Sequence, residues 1–312
     1  MSVKSRVAAV TGANKGIGLA IGTKTPLYTP PIFQADLSIT TPVRGLALAY
    51  PTSPLAQGPF QIYLTARSSQ RGAEAVKTLH ADPELKAAKV LVQDGGDTTI
   101  TFHALDISQS SSIREFRDFL REQHPDGIDA AINNAGIAME GFDANVVRKT
   151  LETNYYGTLE ASQSLLPLLR EGGRLVNVSS KSGVLNKYSE EVTTAFREAA
   201  KTSIDAVTAV MQRFQKAIDE NRVKEDGFPE AAYAVSKAGE TAFTKVLAME
   251  ESKKGRGVLV NACCPGYTNT DMTKGRGRKT VEQGAKTPIK LALEDIGGTF
   301  GEFWEHEEVS EW

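Results

Sequence analysis

The chain has 312 residues, with 36 Lys and Arg against 38 Asp and Glu, and therefore a formal net charge of −2 at pH 7. This balance removes the usual electrostatic argument for a partner that is a nucleic acid or a membrane surface. The hydrophobic content of 40% supports a sizeable core, and the length suggests about two domains, although one α/β domain often reaches roughly 250 residues.

Short apolar runs alternate with longer helical segments along the chain, which predicts a parallel sheet covered by helices. The N-terminus runs directly into the first strand, so we expect no signal peptide. The predicted strands are residues 6–10, 62–65, 99–105, 129–133, 174–179 and 258–264, with a weaker seventh near 298–303. The main predicted helices are residues 68–80, 110–123, 144–170 and 233–252.

Residues 22–42 interrupt this alternation with prolines at 26, 30, 31 and 42, which cannot continue a helix. Joining Ile21 directly to Val43 would place Ile17, Ile21, Leu46 and Ala49 on one helical face. We interpret the segment as a gene-model artefact, such as an unspliced intron, or as a damaging insertion. The alternative is a tolerated surface loop, because loop length alone is inexpensive.

Residues 182–230 form a second interruption, between the fifth strand and the helix at Tyr233. Their apolar side chains recur at a spacing of three to four residues, which predicts an inserted amphipathic helical arm. These apolar residues are Val207, Val210, Met211, Phe214 and Ile218.

Membrane and metal chemistry are not indicated. The longest uncharged stretch, residues 45–66, contains three prolines, so no apolar run could span a bilayer. Cys263 and Cys264 are adjacent, which makes a structural bridge between them improbable and favours a reducing, cytoplasmic location. The four histidines are scattered without metal-ligand spacing, so we expect no metal.

The first predicted strand ends in the sequence TGANKGIG, residues 11–18, and a helix is predicted to follow it. Such a turn lets the backbone approach a pyrophosphate, whose charge is met by free amides and the helix dipole. Glycines in tight left-handed turns are the alternative, but the position within a βα series favours nucleotide binding. Arg67 after the second strand, together with Lys15, favours NADP over NAD, because a cation suits the 2′-phosphate.

Polar residues follow the next strands at the edge where α/β sheets bind ligands. Asp106 and Ile107 are placed to meet an adenine ring, although Asp106 could equally belong to the cap of the next helix. The sequence NNAG, residues 133–136, ends the fourth strand, and NVSS, residues 177–180, ends the fifth. Asn154 lies within the intervening helix, where such a residue usually faces solvent.

The sharpest local signal is YAVSK, residues 233–237, which places Tyr233 and Lys237 on one helix face. An ammonium group beside a phenol favours the phenolate and makes the tyrosine a usable proton donor to a carbonyl. In isolation, a surface contact between the two side chains would be the better explanation of the pattern.

Taken in order, TGANKGIG, NNAG, NVSS, YAVSK and the CPG turn at 264–266 resemble the short-chain dehydrogenase/reductase family, over nearly the whole chain. The long segment before YAVSK and the acidic tail ending in Trp are similar to the NADPH-dependent carbonyl reductases. The resemblance implies one doubly wound Rossmann domain over residues 1–312, with a seven-stranded parallel sheet and an inserted helical arm.

The resemblance also implies roles for individual residues. Tyr233 would be the general acid, and Lys237 would bind the nicotinamide ribose and lower the pKa of the phenol. Ser180 would hydrogen-bond the substrate carbonyl, and Asn154 would hold a water that links Lys237 to solvent. The other residues implied for NADPH are Gly12, Asn14, Lys15, Gly16, Ile17, Gly18, Arg67, Asp106, Ile107, Asn134, Pro265, Gly266, Thr268 and Thr270.

The sequence therefore predicts an NADPH-dependent reductase of ketone, aldehyde or quinone carbonyls, with a small-molecule substrate and no nucleic-acid or membrane partner. Ser180 and Tyr233 are 53 residues apart (233 − 180), and the resemblance implies that the arm between them covers the usual tetramer surface, so we expect a monomer. The alternative function is an NADP-binding pseudoenzyme or interaction protein, inactivated by the segment at 22–42.

Overall fold

The structure is a computed structural model, and it describes residues 5–13 and 41–312. Eight strands form one sheet in this part of the chain. They are β1 (Arg6–Val10), β2 (Phe60–Ala66), β3 (Thr98–Ala104), β4 (Ile128–Asn133), β5 (Leu169–Val178), β6 (Leu259–Cys264), β7 (Phe303–Glu305) and β8 (Glu308–Ser310). Their spatial order is β3-β2-β1-β4-β5-β6-β7-β8.

The sheet reverses its direction of growth between β1 and β4, which makes it doubly wound, as predicted. Seven strands run parallel, also as predicted, and β8 adds an eighth that pairs antiparallel with β7. The extra strand follows from a tight turn, in which His306 and Glu307 both have positive φ. The prediction of the fold class is confirmed, and the count of strands is one higher.

Helices cover both faces of the sheet. They are α1 (Thr41–Ala49), α2 (Ser69–Ala81), α3 (Pro83–Ala87), α4 (Ser110–Gln123), α5 (Ala144–Leu151), α6 (Thr158–Leu165), α7 (Glu190–Thr202), α8 (Ile204–Asp219), α9 (Ala232–Ser252) and α10 (Val281–Leu293). A π-helical turn, Glu152–Gly157, joins α5 to α6.

Two hydrophobic layers sandwich the sheet, and successive residues of β1 contribute to opposite layers because strand side chains alternate. Val7 and Ala9 pack in the layer formed by α4, α5, α6 and α9. Ala8 and Val10 pack in the layer formed by α1, α2 and α10. A sheet buried on both faces leaves only the ends of its strands open to a ligand.

The predicted helical arm is present, but it consists of two helices rather than one continuous segment. Ser203 separates α7 from α8, and its hydroxyl accepts a hydrogen bond from the Ala206 amide at 3.1 Å. Met211 and Phe214 are fully buried in the same layer as α9. The arm is therefore an integral part of the core.

The hypothesis about residues 22–42 falls almost entirely on residues outside those described. The described part begins with α1, where Val43, Leu46 and Ala47 are buried against the sheet. Arg44 is tied to Asp82, at the start of α3, by an ion pair of 3.0 Å. The part of the predicted split helix that follows the segment is therefore helical and well packed.

Candidate active site

A cleft of about 1350 Å³ runs along the carboxyl ends of the parallel strands, at the point where the sheet reverses direction. The structure places most of the predicted site residues in its walls. These are Gly12, Arg67, Asp106, Ile107, Asn134, Ser180, Tyr233, Lys237, Pro265, Gly266, Thr268 and Thr270. Asn14, Lys15, Gly16, Ile17 and Gly18 lie outside the described residues.

The turn after β1 is held against the turn after β4. The buried hydroxyl of Thr11 accepts hydrogen bonds from the amides of Asn134 at 3.0 Å and Ala135 at 3.1 Å. Gly12 has a φ of +63°, and a Cβ at this position would lie 2.6 Å from the Cα of Ala135. Only glycine fits this close approach, so the floor of the cleft requires Gly12.

Arg67 and Asp106 lie at the end of the cleft formed by β2 and β3. Arg67 is exposed and forms no ion pair within the described residues. The Asp106 carboxylate accepts hydrogen bonds from the Ser108 amide at 3.0 Å and hydroxyl at 2.7 Å. Ile107 is buried, and its carbonyl would lie 2.3 Å from a Cβ added at Gly157. We call this the adenosine end, after the part of the cofactor that the sequence predicts for these residues.

Asn154 lies in the π-helical turn and is fully buried beneath the cleft. Its Oδ1 accepts from the Ile137 amide at 2.8 Å, and its Nδ2 donates to the Ile137 carbonyl at 2.8 Å and to the Ser236 hydroxyl at 3.1 Å. Asn154 therefore ties the segment after β4 to helix α9. A π-turn contains one more residue than an α-turn, and such turns are frequent at functional sites.

Tyr233 and Lys237 lie on the first two turns of α9, and the ammonium nitrogen is 5.9 Å from the centre of the phenol ring. Lys237 is buried, and its Nζ donates to the Val178 carbonyl at 2.8 Å and to Glu240 Oε2 at 2.6 Å. Tyr233 is partly buried and lines the cleft. The two side chains are thus fixed relative to one another by the end of β5 and by Glu240.

Opposing influences act on the acidity of these groups. Burial raises the pKa of the Tyr233 phenol above its usual value, while the Lys237 charge and a hydrogen bond with Ser180 lower it. Burial lowers the pKa of Lys237, but the charges of Glu240 and Tyr233 outweigh it and the net direction is upward. Burial also raises the pKa of Glu240, to about 7. We call Tyr233, Lys237 and Ser180 the catalytic end of the cleft, after the role that the sequence predicts for them.

Ser180 follows β5, and its side chain lies within hydrogen-bond distance of the Tyr233 phenol. Its Oγ accepts hydrogen bonds from the Ser182 amide at 3.2 Å and hydroxyl at 2.8 Å, which leaves its own proton free to donate. The neighbouring Ser179 is buried, and its hydroxyl donates to the Lys237 carbonyl at 3.0 Å. Strand β5 therefore supports both Ser180 and the first turns of α9.

The loop after β6 closes the catalytic end. Gly266 has a φ of +82° and its amide donates to the Cys264 sulfur at 3.2 Å. The hydroxyl of Thr268 lies 3.2 Å from the Gly266 carbonyl, and Thr270 caps the short helical turn Asp271–Thr273. Cys263 and Cys264 are free thiols, and burial raises the pKa of both.

Three residues that shape this site were not predicted from the sequence: Thr11, Ser179 and Glu240. Thr11 and Ser179 stand inside the quoted motifs, where their buried hydroxyls bind backbone groups of neighbouring turns. Glu240 could have been selected from the sequence as a site residue, because it is an acid three residues after Lys237 among mostly small or apolar residues.

A doubly wound sheet with a cleft at its switch point is the architecture of Rossmann-type nucleotide-binding proteins. The profile of the short chain dehydrogenase family matches residues 38–224 and 221–280. The chain belongs to this family, whose oxidoreductases interconvert carbonyl and hydroxyl groups, and the prediction of the family is confirmed. The matched part begins at residue 38 and so leaves out β1 and the glycine-rich turn.

Two curated relatives cover nearly the whole chain. Carbonyl reductase [NADPH] 3 of Rattus norvegicus is 37% identical over 302 residues, which span 94% of this chain and 92% of that protein. Carbonyl reductase [NADPH] 1 of Homo sapiens is 35% identical over 322 aligned positions, which span 100% of both chains.

A solved structure shares the fold. Salutaridine reductase from Papaver somniferum superposes with a TM-score of 0.75 at 24% identity, over 96% of this chain and 99% of that one.

No helix of residues 5–13 and 41–312 is both long and apolar enough to cross a membrane. Within the same residues, no group of three His, Cys, Asp or Glu side chains is placed to hold a metal ion.

Proposed function

We propose that this protein is an NADPH-dependent carbonyl reductase that reduces ketone, aldehyde or quinone carbonyls, with Tyr233 as the proton donor. The observation that carries the proposal is the catalytic end of the cleft. There the phenol of Tyr233, which lines the cleft, has the Ser180 hydroxyl and the Lys237 ammonium beside it. Relatives of similar length that are named for carbonyl reduction with NADPH support the same activity.

The walls of the cleft fit a dinucleotide. They run continuously from Arg67 at one end to Tyr233 at the other, past Gly12 and Asn134. Gly12 keeps the floor free of a side chain where the two turns meet. Arg67 offers an exposed cation, without an ion pair in the described residues, to the 2′-phosphate that distinguishes NADPH from NADH.

The same proposal assigns the remaining contacts. Asp106 and Ile107 would meet the adenine, Asn134 the ribose, and Lys237 the nicotinamide ribose. The loop after β6 would contact the nicotinamide end through Pro265, Gly266, Thr268 and Thr270. The pyrophosphate would be held by Asn14, Lys15, Gly16, Ile17 and Gly18, which lie outside the described residues.

NADPH, when bound, supplies the hydride for the carbonyl carbon. The Ser180 hydroxyl donates a hydrogen bond to the carbonyl oxygen, which orients the substrate and stabilises the charge that develops there. Tyr233 transfers its phenol proton to this oxygen, and the Lys237 ammonium stabilises the resulting phenolate. Asn154 keeps the segment after β4 in place beside Lys237. At this position Asn154 would also hold the water that returns a proton to Lys237.

We further propose a cytoplasmic monomer. Helices α7 and α8 pack on α5 and α9, so the arm covers surfaces through which a smaller relative could associate. Size-exclusion chromatography with light scattering checks this: a mass near 33.6 kDa is expected.

The test is substitution of Tyr233 by Phe, which removes the phenol hydroxyl and keeps the ring. Turnover of NADPH with a diketone or quinone should fall by about 10³-fold, while NADPH binding, measured by titration calorimetry, stays within a few-fold of wild type. Turnover that survives the substitution would show that Tyr233 is not the proton donor.

A second candidate is an NADP-binding pseudoenzyme or interaction protein, inactivated by residues 22–42. The observation that favours this candidate is the extent of the family match. It begins at residue 38 and therefore leaves out the glycine-rich turn. The full chain and a variant lacking residues 22–42 should be compared for NADPH affinity and turnover. Tight NADPH binding with no turnover of any carbonyl compound supports this candidate. Equal affinity of the two proteins shows that the segment does no damage.

A further inference from the structure

A buried carboxylate stands behind the catalytic end of the cleft. Glu240 lies one turn after Lys237 on α9, has no exposed surface, and places Oε2 2.6 Å from Lys237 Nζ. Its second oxygen, Oε1, has no hydrogen-bond partner within the described residues. Burial of a charged group that is only partly hydrogen-bonded is unfavourable. Packing therefore does not account for an acid at this position.

Another buried acid on the same helix shows how a structural carboxylate is satisfied. Glu251 has 1% exposure, and both of its oxygens are paired: Oε2 with Lys254 at 2.9 Å, and Oε1 with Arg256 at 2.7 Å. The Arg256 guanidinium also donates to the Leu169 carbonyl. Glu251 thus anchors the end of α9. Within the described residues, Glu240 is paired with one cation, and that cation is the partner of Tyr233.

We propose that Glu240 is a positioning residue that shares the positive charge of Lys237 with Tyr233, and so keeps the phenol protonated to higher pH and favours carbonyl reduction over alcohol oxidation. The inference rests on the proposed function. A carboxylate in contact with the ammonium weakens the field that the ammonium exerts at the phenol. Reduction needs the protonated phenol, whereas oxidation needs the phenolate to accept a proton.

The charges around Glu240 support this direction. The negative charge of Glu240 raises the pKa of Tyr233, opposing Lys237. Among the described residues, the charge of Glu240 shifts the pKa of Lys237 and Tyr233 on its own helix and of Cys263 on β6. Burial raises the pKa of the Cys263 thiol well above its usual value, so this group stays neutral. Because burial raises the pKa of Glu240 to about 7, its charge is present above this pH and absent below it.

The experiment is Glu240→Gln, which removes the charge and keeps an oxygen for Lys237. The pH dependence of kcat/KM is measured for carbonyl reduction and for alcohol oxidation. We expect the alkaline limit of reduction and the rising limb of oxidation both to move to lower pH, by about one unit. Below about pH 7, where burial leaves wild-type Glu240 neutral, the two proteins should coincide.

A second readout needs no turnover. Tyrosinate absorbance of the cofactor-free protein, taken as the difference from Tyr233→Phe, should rise at lower pH in Glu240→Gln than in wild type. The matched control is Glu251→Gln, which should lower the melting temperature and leave both pH profiles in place. If Glu240→Gln does not fold, Glu240→Val removes the charge without burying an amide.

Profiles and tyrosinate titrations that do not move, or that move to higher pH, overturn the proposal. The failure of the proposed function is read separately, because it would show as turnover that survives Tyr233→Phe. If the pH profiles do not move and Tyr233→Phe is inactive, the role of Glu240 is rejected while the proposed function stands.

Discussion

The two ends of the cleft are built in opposite ways. At the catalytic end, Lys237 is buried and hydrogen-bonded to Val178 and Glu240, so its position is set by the interior of the protein. At the adenosine end, Arg67 is exposed and has no ion pair within the described residues. The catalytic end is therefore organised before any ligand binds, whereas the adenosine end offers its charge to the ligand. Substitutions at the catalytic end should therefore alter kcat, and substitutions at the adenosine end should alter the KM for NADPH.

The largest effect is expected from Lys237→Met. Loss of the ammonium removes the charge that favours the phenolate, so kcat for carbonyl reduction should fall by about 10³-fold. Steady-state kinetics with saturating NADPH measures it. A loss that appears only in the KM for NADPH would limit Lys237 to its contact with the nicotinamide ribose and contradict the division between the two ends.

Ser180→Ala should have the next largest effect. Removing a hydrogen bond to a developing oxyanion lowers kcat by about 10²-fold, and the KM for NADPH should stay unchanged. The Ser182 groups that now donate to Ser180 are left without that acceptor. Thermal unfolding of the variant therefore serves as the check that the loss of kcat is not a loss of folded protein.

At the adenosine end, Arg67→Asp should raise the KM for NADPH about ten- to a hundredfold, because one charge-assisted contact to the 2′-phosphate is replaced by repulsion. The kcat at saturation should remain that of wild type, and the KM for NADH should not rise. Arg121→Asp provides the control, since Arg121 is an exposed arginine on α4, outside the walls of the cleft. Equal effects on NADPH and NADH would contradict the role of Arg67.

The smallest effect is expected in the arm, away from both ends. Ser203→Ala removes the side-chain cap of α8, which should cost about 1 kcal/mol of stability. The melting temperature should fall by about 2 °C, and kcat should change by less than about twofold. A large change in kcat would mean that the arm is coupled to the catalytic end.

Much of this architecture could be predicted from the pattern of apolar residues. Strand β1 and helix α4 have the predicted bounds, because their apolar periods are clear and their neighbours are polar. The Tyr233–Lys237 pair could be predicted because a helix places residues four apart on one face. The break at Ser203 was missed, since the apolar period continues across it and only the capping hydroxyl marks the new helix.

Two other features could not be predicted from the sequence, because they depend on tertiary structure. An ordinary helical period leaves Asn154 free to face solvent, whereas the extra residue of the π-turn lets it bind the segment after β4. Glu240 and Lys237 have the three-residue spacing of a common surface ion pair. Their burial follows from the packing of α9 against β5 and β6, which cannot be predicted from the local sequence pattern. The roles of both residues in catalysis stay predictions until the variants are measured.

The placement of the two tryptophans makes the protein its own fluorescent reporter. Trp304 lies in β7, next to the edge strand β8, with the Lys290 ammonium 5.9 Å from the centre of its ring. Trp312 packs edge-on against Phe196 of α7, with ring centres 6.4 Å apart. Since the sequence contains only these two, Trp304→Phe leaves an emission that follows the arm, and Trp312→Phe leaves one that follows the sheet. Unfolding of the two regions can thus be timed separately without an added label.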